Sequence, residues 1–158
     1  VYQVPSINNA NVLVMGGYAT FIVTGDVSIS GQNGLTIAPD SSLKMYVGGS
    51  SVSLGGNGVM NKNGYARNFK LLCADSVTSL SIGGNGEFTG CVYAPNAAVK
   101  LNGGGNSDQD FVGALVGNTI TMNGHYSFHY DESLKSEGDS SRYVMQSWQE
   151  VSLTQAGN

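Results

Sequence analysis

Five copies of one short pattern constrain this chain more than anything else in it. Val27-Ser28-Ile29-Ser30-Gly31, Val52-Ser53-Leu54-Gly55-Gly56, Leu80-Ser81-Ile82-Gly83-Gly84, Val99-Lys100-Leu101-Asn102-Gly103 and Ile120-Thr121-Met122-Asn123-Gly124 each set two apolar residues around a Ser, Lys or Thr and then end on glycine. Successive side chains of a strand point to opposite faces, so every copy has one apolar and one polar side. The copies return every 19 to 28 residues, a period that belongs to solenoids. A hairpin meander would return after roughly 8–12 residues. If each copy stacks on its predecessor at about 4.8 Å, the backbone ladder is satisfied and the apolar residues, Val99 and Ile120 among them, form one vertical seam. The fold expected is all-β, a single-domain right-handed parallel β-helix with terminal caps. A glycine-rich β-sandwich is the alternative.

Further strands fill out the coil. Leu71-Leu72-Cys73-Ala74, Cys91-Val92-Tyr93-Ala94 and Ala114-Leu115-Val116-Gly117 align as a second strand ahead of the later copies, and a third face is expected around residues 86–90 and 103–113. Glycine suits corners that need left-handed or bulged backbone, and Asn stacked at repeated corners can form amide ladders. No stretch shows the spacing of an amphipathic helix. Residues 1–17 read as an N-terminal cap, 18–131 as the coils, and 132–158 as a charged, Ser-rich linker followed by an apolar segment, Tyr143 to Trp148, packed on the column. An open terminal coil is a sheet edge, and such covers would shield it.

The composition narrows the function classes. Hydrophobic residues make up 41% of the 158, enough for a core, but charged residues only 11%, so Gly, Asn, Ser and Thr must supply the polar surface. Seven Lys and Arg are scattered in a chain of net charge −4, leaving no basic stripe for a phosphate backbone; nucleic acid is not an expected partner. No apolar run reaches the ~20 residues that span a bilayer. The chain opens on Val1-Tyr2-Gln3 and reads as a mature or trimmed fragment, with any export signal or anchor upstream. Cys73 and Cys91 fit neither a redox CxxC nor a zinc half-site; they are expected as a buried thiol pair or as one disulfide between neighbouring coils.

The run Gly86-Glu87-Phe88-Thr89-Gly90-Cys91-Val92-Tyr93-Ala94-Pro95-Asn96-Ala97-Ala98-Val99-Lys100-Leu101-Asn102-Gly103 resembles the G-x-F-x-G-x-x-Y-A-P-N-A-x-V-x-L-N-G stretch of an uncharacterised bacterial domain. That domain occurs in predicted pilus-assembly surface proteins, often behind a PilX-type, prepilin-like segment. Phe111 to Gly117 resembles its F-x-G-A-x-V-G element. His129-Tyr130-Asp131-Glu132-Ser133-Leu134 resembles its H-Y-D-E-x-L ending, and Ser147-Trp148-Gln149-Glu150 a late S-W-x-E. The likeness covers roughly residues 18–150. It implies a β-helix in a secreted or pilus-associated bacterial surface protein, and it carries no catalytic residue across. The prepilin-like segment has no counterpart here, and the loop from Gly103 to Asp110 is longer than the usual connection.

Among motif residues that could carry chemistry, His125, Ser127, His129 and Asp131 would share one strand face and Tyr126, Phe128 and Tyr130 the other. Two His and a carboxylate could ligate a metal, but His125 and His129 stand about 13 Å apart on a strand. The expected role of His129 and Asp131 is therefore to hold the C-terminal turn by hydrogen bonds. Asp108 and Asp110 sit in a Gly/Asn/Ser loop that lacks the acid spacing of calcium loops; it reads as a solvated turn, and no cofactor or metal is expected. Glycosidases on such a fold need two carboxylates about 5–9.5 Å apart, whereas the acids here crowd into the last third of the chain and Arg67 and Arg142 lie far apart. Taken together these readings point to a non-enzymatic extracellular structural or adhesive domain, facing other surface or pilus subunits or glycans. The rivals are a self-assembling, bactofilin-like scaffold and a polysaccharide-active enzyme.

Overall fold

The computed structural model describes residues 1–84, 87–103, 109–124 and 126–136, with Gln109 and Ser136 described in backbone only. The chain runs through β1 (Tyr2–Val4), β2 (Ile7–Asn8) and β3 (Val12–Val14), then β4 (Tyr18–Val23), β5 (Val27–Ile29) and β6 (Leu35–Ile37). A third circuit comprises β7 (Ser42–Val47), β8 (Ser51–Leu54) and β9 (Val59–Asn61). After a short 3-10 helix, Ala66–Asn68, come β10 (Phe69–Cys73), β11 (Ser79–Gly84), β12 (Phe88–Gly103), β13 (Gln109–Asn123) and β14 (Tyr126–Tyr130). A second 3-10 helix, Glu132–Ser136, follows.

Each strand pairs in parallel with its counterpart one circuit on, which makes a β-solenoid of stacked rungs. Wall A stacks β1, β4, β7, β10, the first half of β12, the first half of β13 and β14. Wall B stacks β2, β5, β8, β11 and the second halves of β12 and β13. Wall C holds β3, β6 and β9. The five pattern copies fall in one column: Val27 faces Val52, Val52 faces Leu80, Leu80 faces Val99, and Val99 faces Ile120. Parallel register throughout rules out both the sandwich and the meander.

Two details differ from the sequence reading. In wall A, Leu71 pairs with Val92, and Val92 with Leu115, so the segment beginning at Leu71 is displaced by one residue from the alignment expected. A slip of one residue exchanges the two faces of a strand. Leu71 therefore points inward and Leu72 outward. The third wall also lies elsewhere: residues 88–90 and 109–113 belong to wall A, and wall C is built from the first three circuits. The N-terminal segment, read as a cover, takes the form of a rung of its own, with Ile7 and Val14 buried.

The inward residues join one core from Ile7 to Phe111. In the first three circuits its fully buried members are aliphatic, Leu35, Ile37, Leu43, Leu54 and Met45 among them, with Phe21 packed against them. Further along it becomes an aromatic stack. Phe69 meets Phe88 edge-on at 5.7 Å, Phe88 stacks on Phe111 at 4.8 Å, and Phe111 on Phe128 at 5.0 Å. Glycine makes room for it. Gly90 pairs with Gly113 in the next rung; a Cβ on Gly90 would come within 2.7 Å of Phe69 Cδ1, and one on Gly113, at φ +146°, would collide with the Gly90 carbonyl. This is the physical content of the F-x-G spacing.

Side-chain amides fasten the corners. Asn63 Nδ2 donates to Ala38 O (3.0 Å) and Ser41 O (2.9 Å) while its Oδ1 accepts from the Asp40 N–H (2.8 Å). Asn123 Nδ2 donates to Asn102 Oδ1, and Asn102 Nδ2 to Ser81 Oγ, both at 3.2 Å, forming the amide ladder that stacked Asn residues suggested. Backbone groups at the turns would otherwise lack a ladder partner, and the Asn63 bonds supply one.

Candidate functional site

The acids nearest to a chemical role are occupied with the backbone. Asp26 Oδ1 accepts the N–H groups of Ser50 (2.7 Å) and Ser51 (2.9 Å), one rung away. These bonds, that from Ser51 first, hold the carboxyl below its ordinary pKa. Asp131 reaches further: its Oδ2 accepts from the Ala66 N–H (3.1 Å) and its Oδ1 from the Ser133 N–H (3.0 Å). Its pKa is likewise lowered, chiefly by a side-chain hydrogen bond from Ser133, against an opposing desolvation, with the Ala66 and Ser133 N–H groups and the Arg67 charge adding smaller lowering contributions. Asp131 thus ties the last described turn to the 3-10 helix before β10.

His129 Nε2 lies 3.3 Å from Asp110 Oδ1, both partly open to solvent. Tyr126 beside them is pushed up to about 12, by burial first and by the Asp110 charge second. Glu132 pairs with Lys135 (3.4 Å), and Lys135 sits 6.0 Å from the centre of the Tyr130 ring. His125, Asp108 and Trp148 lie outside the described residues, as does the apolar segment around Trp148. Among the described residues no three His, Cys, Asp or Glu side chains gather as a metal site requires.

No disulfide joins Cys73 and Cys91. Lys70 pairs with Cys91, and Cys73 lies three residues further along the Lys70 strand. Three residues span about 10 Å and reverse the side-chain direction, whereas a bridge needs Cα atoms within about 7 Å. The disulfide expectation is thereby corrected. Cys73 is buried, which pushes its thiol up to about 11. The Cys91 Sγ, on the outer side, lies 3.6 Å from Ala66 O.

The remaining motif residues shape a corner. Ala94 and Ala97 are fully buried inside the bend of β12, where the register shifts. Pro95 and Asn96 form its outside, with Asn96 Nδ2 donating to Asp75 O (3.2 Å). Tyr93, immediately before, points out of wall A. It is one step of a column that the sequence reading missed. Ile22 pairs with Tyr46, Tyr46 with Leu72, Leu72 with Tyr93, and Tyr93 with Val116. Tyr46 is 41% exposed, Tyr93 50% and Val116 47%. A shallow groove of about 540 Å³ follows this column. Beside it a second groove, of about 780 Å³, is lined by Tyr18, Asp40, Lys44, Asn63, Arg67 and Lys70, among others. Apolar and aromatic side chains beside cations can hold a ligand by stacking and by charge. The signal was present in Lys44-Met45-Tyr46, Lys70-Leu71-Leu72 and Cys91-Val92-Tyr93, but the one-residue misalignment turned Leu72 inward and hid it.

No helix among the described residues is long and apolar enough to cross a membrane. A protein-family model, described as a domain of unknown function (DUF7305), matches residues 5–137. No curated protein matches the chain, and no solved structure does.

Proposed function

The chain belongs to the DUF7305 family, and on that premise we propose that it is a non-enzymatic structural or adhesive domain displayed at the bacterial cell surface, in a pilus-associated protein. One observation carries the reading: the outward positions of wall B repeat in register. Ser28, Ser53, Ser81, Lys100 and Thr121 succeed one another on five adjacent strands. The result is a flat polar wall on a continuous core, suited to lying against another surface. The non-enzymatic part is supported by what the carboxylates do, since Asp26 and Asp131 are held by backbone N–H groups at corners. The pilus context is supported by the resemblance of the Y-A-P-N-A and H-Y-D-E-x-L segments. Antibody against the domain is expected to label intact cells that express the parent protein. Labelling only after permeabilisation would overturn the reading.

One observation favours a second reading, end-to-end assembly of the bactofilin kind. Ile120 and Met122, in the last strand of wall B, are 48% and 42% exposed. Regular filaments of the isolated chain in negative stain would replace the first reading with this one. Release of oligosaccharides from acidic or neutral polysaccharides would favour an enzyme instead.

A further inference from the structure

We propose that Val151-Ser152-Leu153 is a further wall B strand, seated in parallel on the second half of β13, and that it closes the open end of the solenoid. The inference goes beyond both functional readings. It bears on the second, because end-to-end assembly would need this strand to leave.

The open edge comes first. Wall A ends on β14, and among the described residues no wall B strand follows it. The second half of β13, Thr119 to Asn123, pairs there with β12 alone, and an edge of that kind leaves backbone N–H and C=O groups without a ladder partner. The seam beneath it is unfinished as well. One inward column runs through Val27, Val52, Leu80 and Val99, none more than 2% exposed, and ends on Ile120 at 48%. The next runs through Ile29, Leu54, Ile82 and Leu101, again none above 2%, and ends on Met122 at 42%. Two side chains in register with buried ones stand half in water because no described rung lies over them.

The sequence names the occupant. Residues 137–158 lie outside the described residues, and within them a single triplet sets two apolar residues about a Ser, Lys or Thr. It is Val151-Ser152-Leu153, which repeats Val52-Ser53-Leu54 of β8 residue for residue. Laid on β13 in the register of the other copies, Val151 covers Ile120 and Leu153 covers Met122. Ser152 then extends the outward row of Ser28, Ser53, Ser81, Lys100 and Thr121. A slip of one residue would set Ser152 on the seam instead, so the pattern fixes the register. The chain also reaches. Tyr130 pairs with Gly113, and on that lower rung seven steps lead from Gly113 to Ile120. From Tyr130 to Val151 there are 21, and the surplus makes a longer corner. A strand tethered to the same chain is favoured over the same triplet from a second copy, because its pairing is intramolecular.

The test traps the strand in the full chain. A Thr121→Cys/Ser152→Cys variant is treated with oxidised glutathione, and any bridge is located by peptide mass spectrometry. Facing outward positions of paired strands come within bridging distance, whereas a side chain at 153 points to the other face. A bridge between positions 121 and 152 of one chain is expected, about tenfold or more in excess of that formed by Thr121→Cys/Leu153→Cys. Hydrogen exchange supplies a readout that needs no new cysteine. The amides of Thr119 to Asn123 are expected to exchange about tenfold or more faster in Val151→Asp/Leu153→Asp than in the parent chain, while those of β4 to β9 keep their rates. Bridges between two chains would overturn the proposal in favour of strand exchange with a second copy. No bridge, equal bridging by the two cysteine pairs, or exchange indifferent to the aspartates would overturn it outright.

Discussion

The first three circuits and the later ones solve the same packing problem in different ways. Early on, the rung is three-sided, with walls A, B and C kept separate by glycine and asparagine corners and filled by branched aliphatics. Later, walls A and B run together through β12, an unbroken strand of 16 residues, and β13, one of 15. Phenylalanine stacks fill the space beneath them. The difference follows from what occupies the bend. Ala94, Ala97 and Gly117 are small enough for the strand to turn with no more than a shift of register between Ala94 and Ala98; a Cβ on Gly117 would come within 2.6 Å of Val99 Cγ2. Where Asn and Gly hold the corner, the ladder is interrupted, and amide side chains supply the missing partners.

Because a solenoid rung touches only its neighbours, damage should stay local, and this lets the two regions be broken separately. The largest effect is expected from Gly113→Ala, which sets a Cβ against the Gly90 carbonyl at a backbone angle that side chains avoid. It should cost about 4 kcal/mol in a denaturant melt. A loss below about 1 kcal/mol would mean that the later rungs yield more readily than the stack implies. Phe111→Ala, at the centre of that stack, should cost about 3 kcal/mol, since Phe128 beyond it is partly exposed and can relax into the gap. Hydrogen exchange should then quicken in β12 to β14 and stay slow in β4 to β9; uniform quickening would show that the molecule melts as a single unit.

Asn63→Ala probes the other region. Four side-chain hydrogen bonds are lost, three of them to the turn at Ala38–Ser41, and about 1–2 kcal/mol should follow, measured in the same melt and confined to the first three circuits. A smaller effect separates the acids. Asp26 has a lowered pKa in the fold, so its contribution is fully present above the unfolded value of about 3.9. It is lost as the pH falls through the lower folded value. Asp26→Asn should flatten the acid limb of the melting temperature, and Asp131→Asn should do the same through the later rungs. An acid limb identical to that of the parent would contradict this. The smallest effect is chemical: the buried Cys73 thiol, raised to about 11, should escape alkylation at neutral pH unless the chain is unfolded.

The wall that best announced itself in sequence was B. Its apolar pairs straddle one polar residue and always run into glycine, so register could be read by eye from Val27 to Ile120. Wall A was harder. Its strands are apolar on both sides, as in Leu71-Leu72-Cys73, and period-two patterning cannot say which of two neighbouring leucines faces in. The outer column and its lysines were lost for that reason alone. The F-x-G elements were visible as motifs, but their meaning lies in a contact between Gly90 and Gly113, 23 positions apart, that only stacking creates. The reach from Asp131 to Ala66, across 65 positions, is equally invisible before the rungs are laid on one another. Whether Cys73 and Cys91 bridge could not be read from their spacing, which says nothing of side-chain direction, and direction decided the matter.

The pattern copies recur after 25, 28, 19 and 21 residues, yet each climbs one strand spacing. Altitude along the axis is therefore indifferent to how much chain is spent on a circuit. A peptide spliced into a corner would lengthen the detour without altering the height of anything above it. The molecule behaves as a graduated rod, on which each circuit marks a fixed level and can bear a differently shaped shelf.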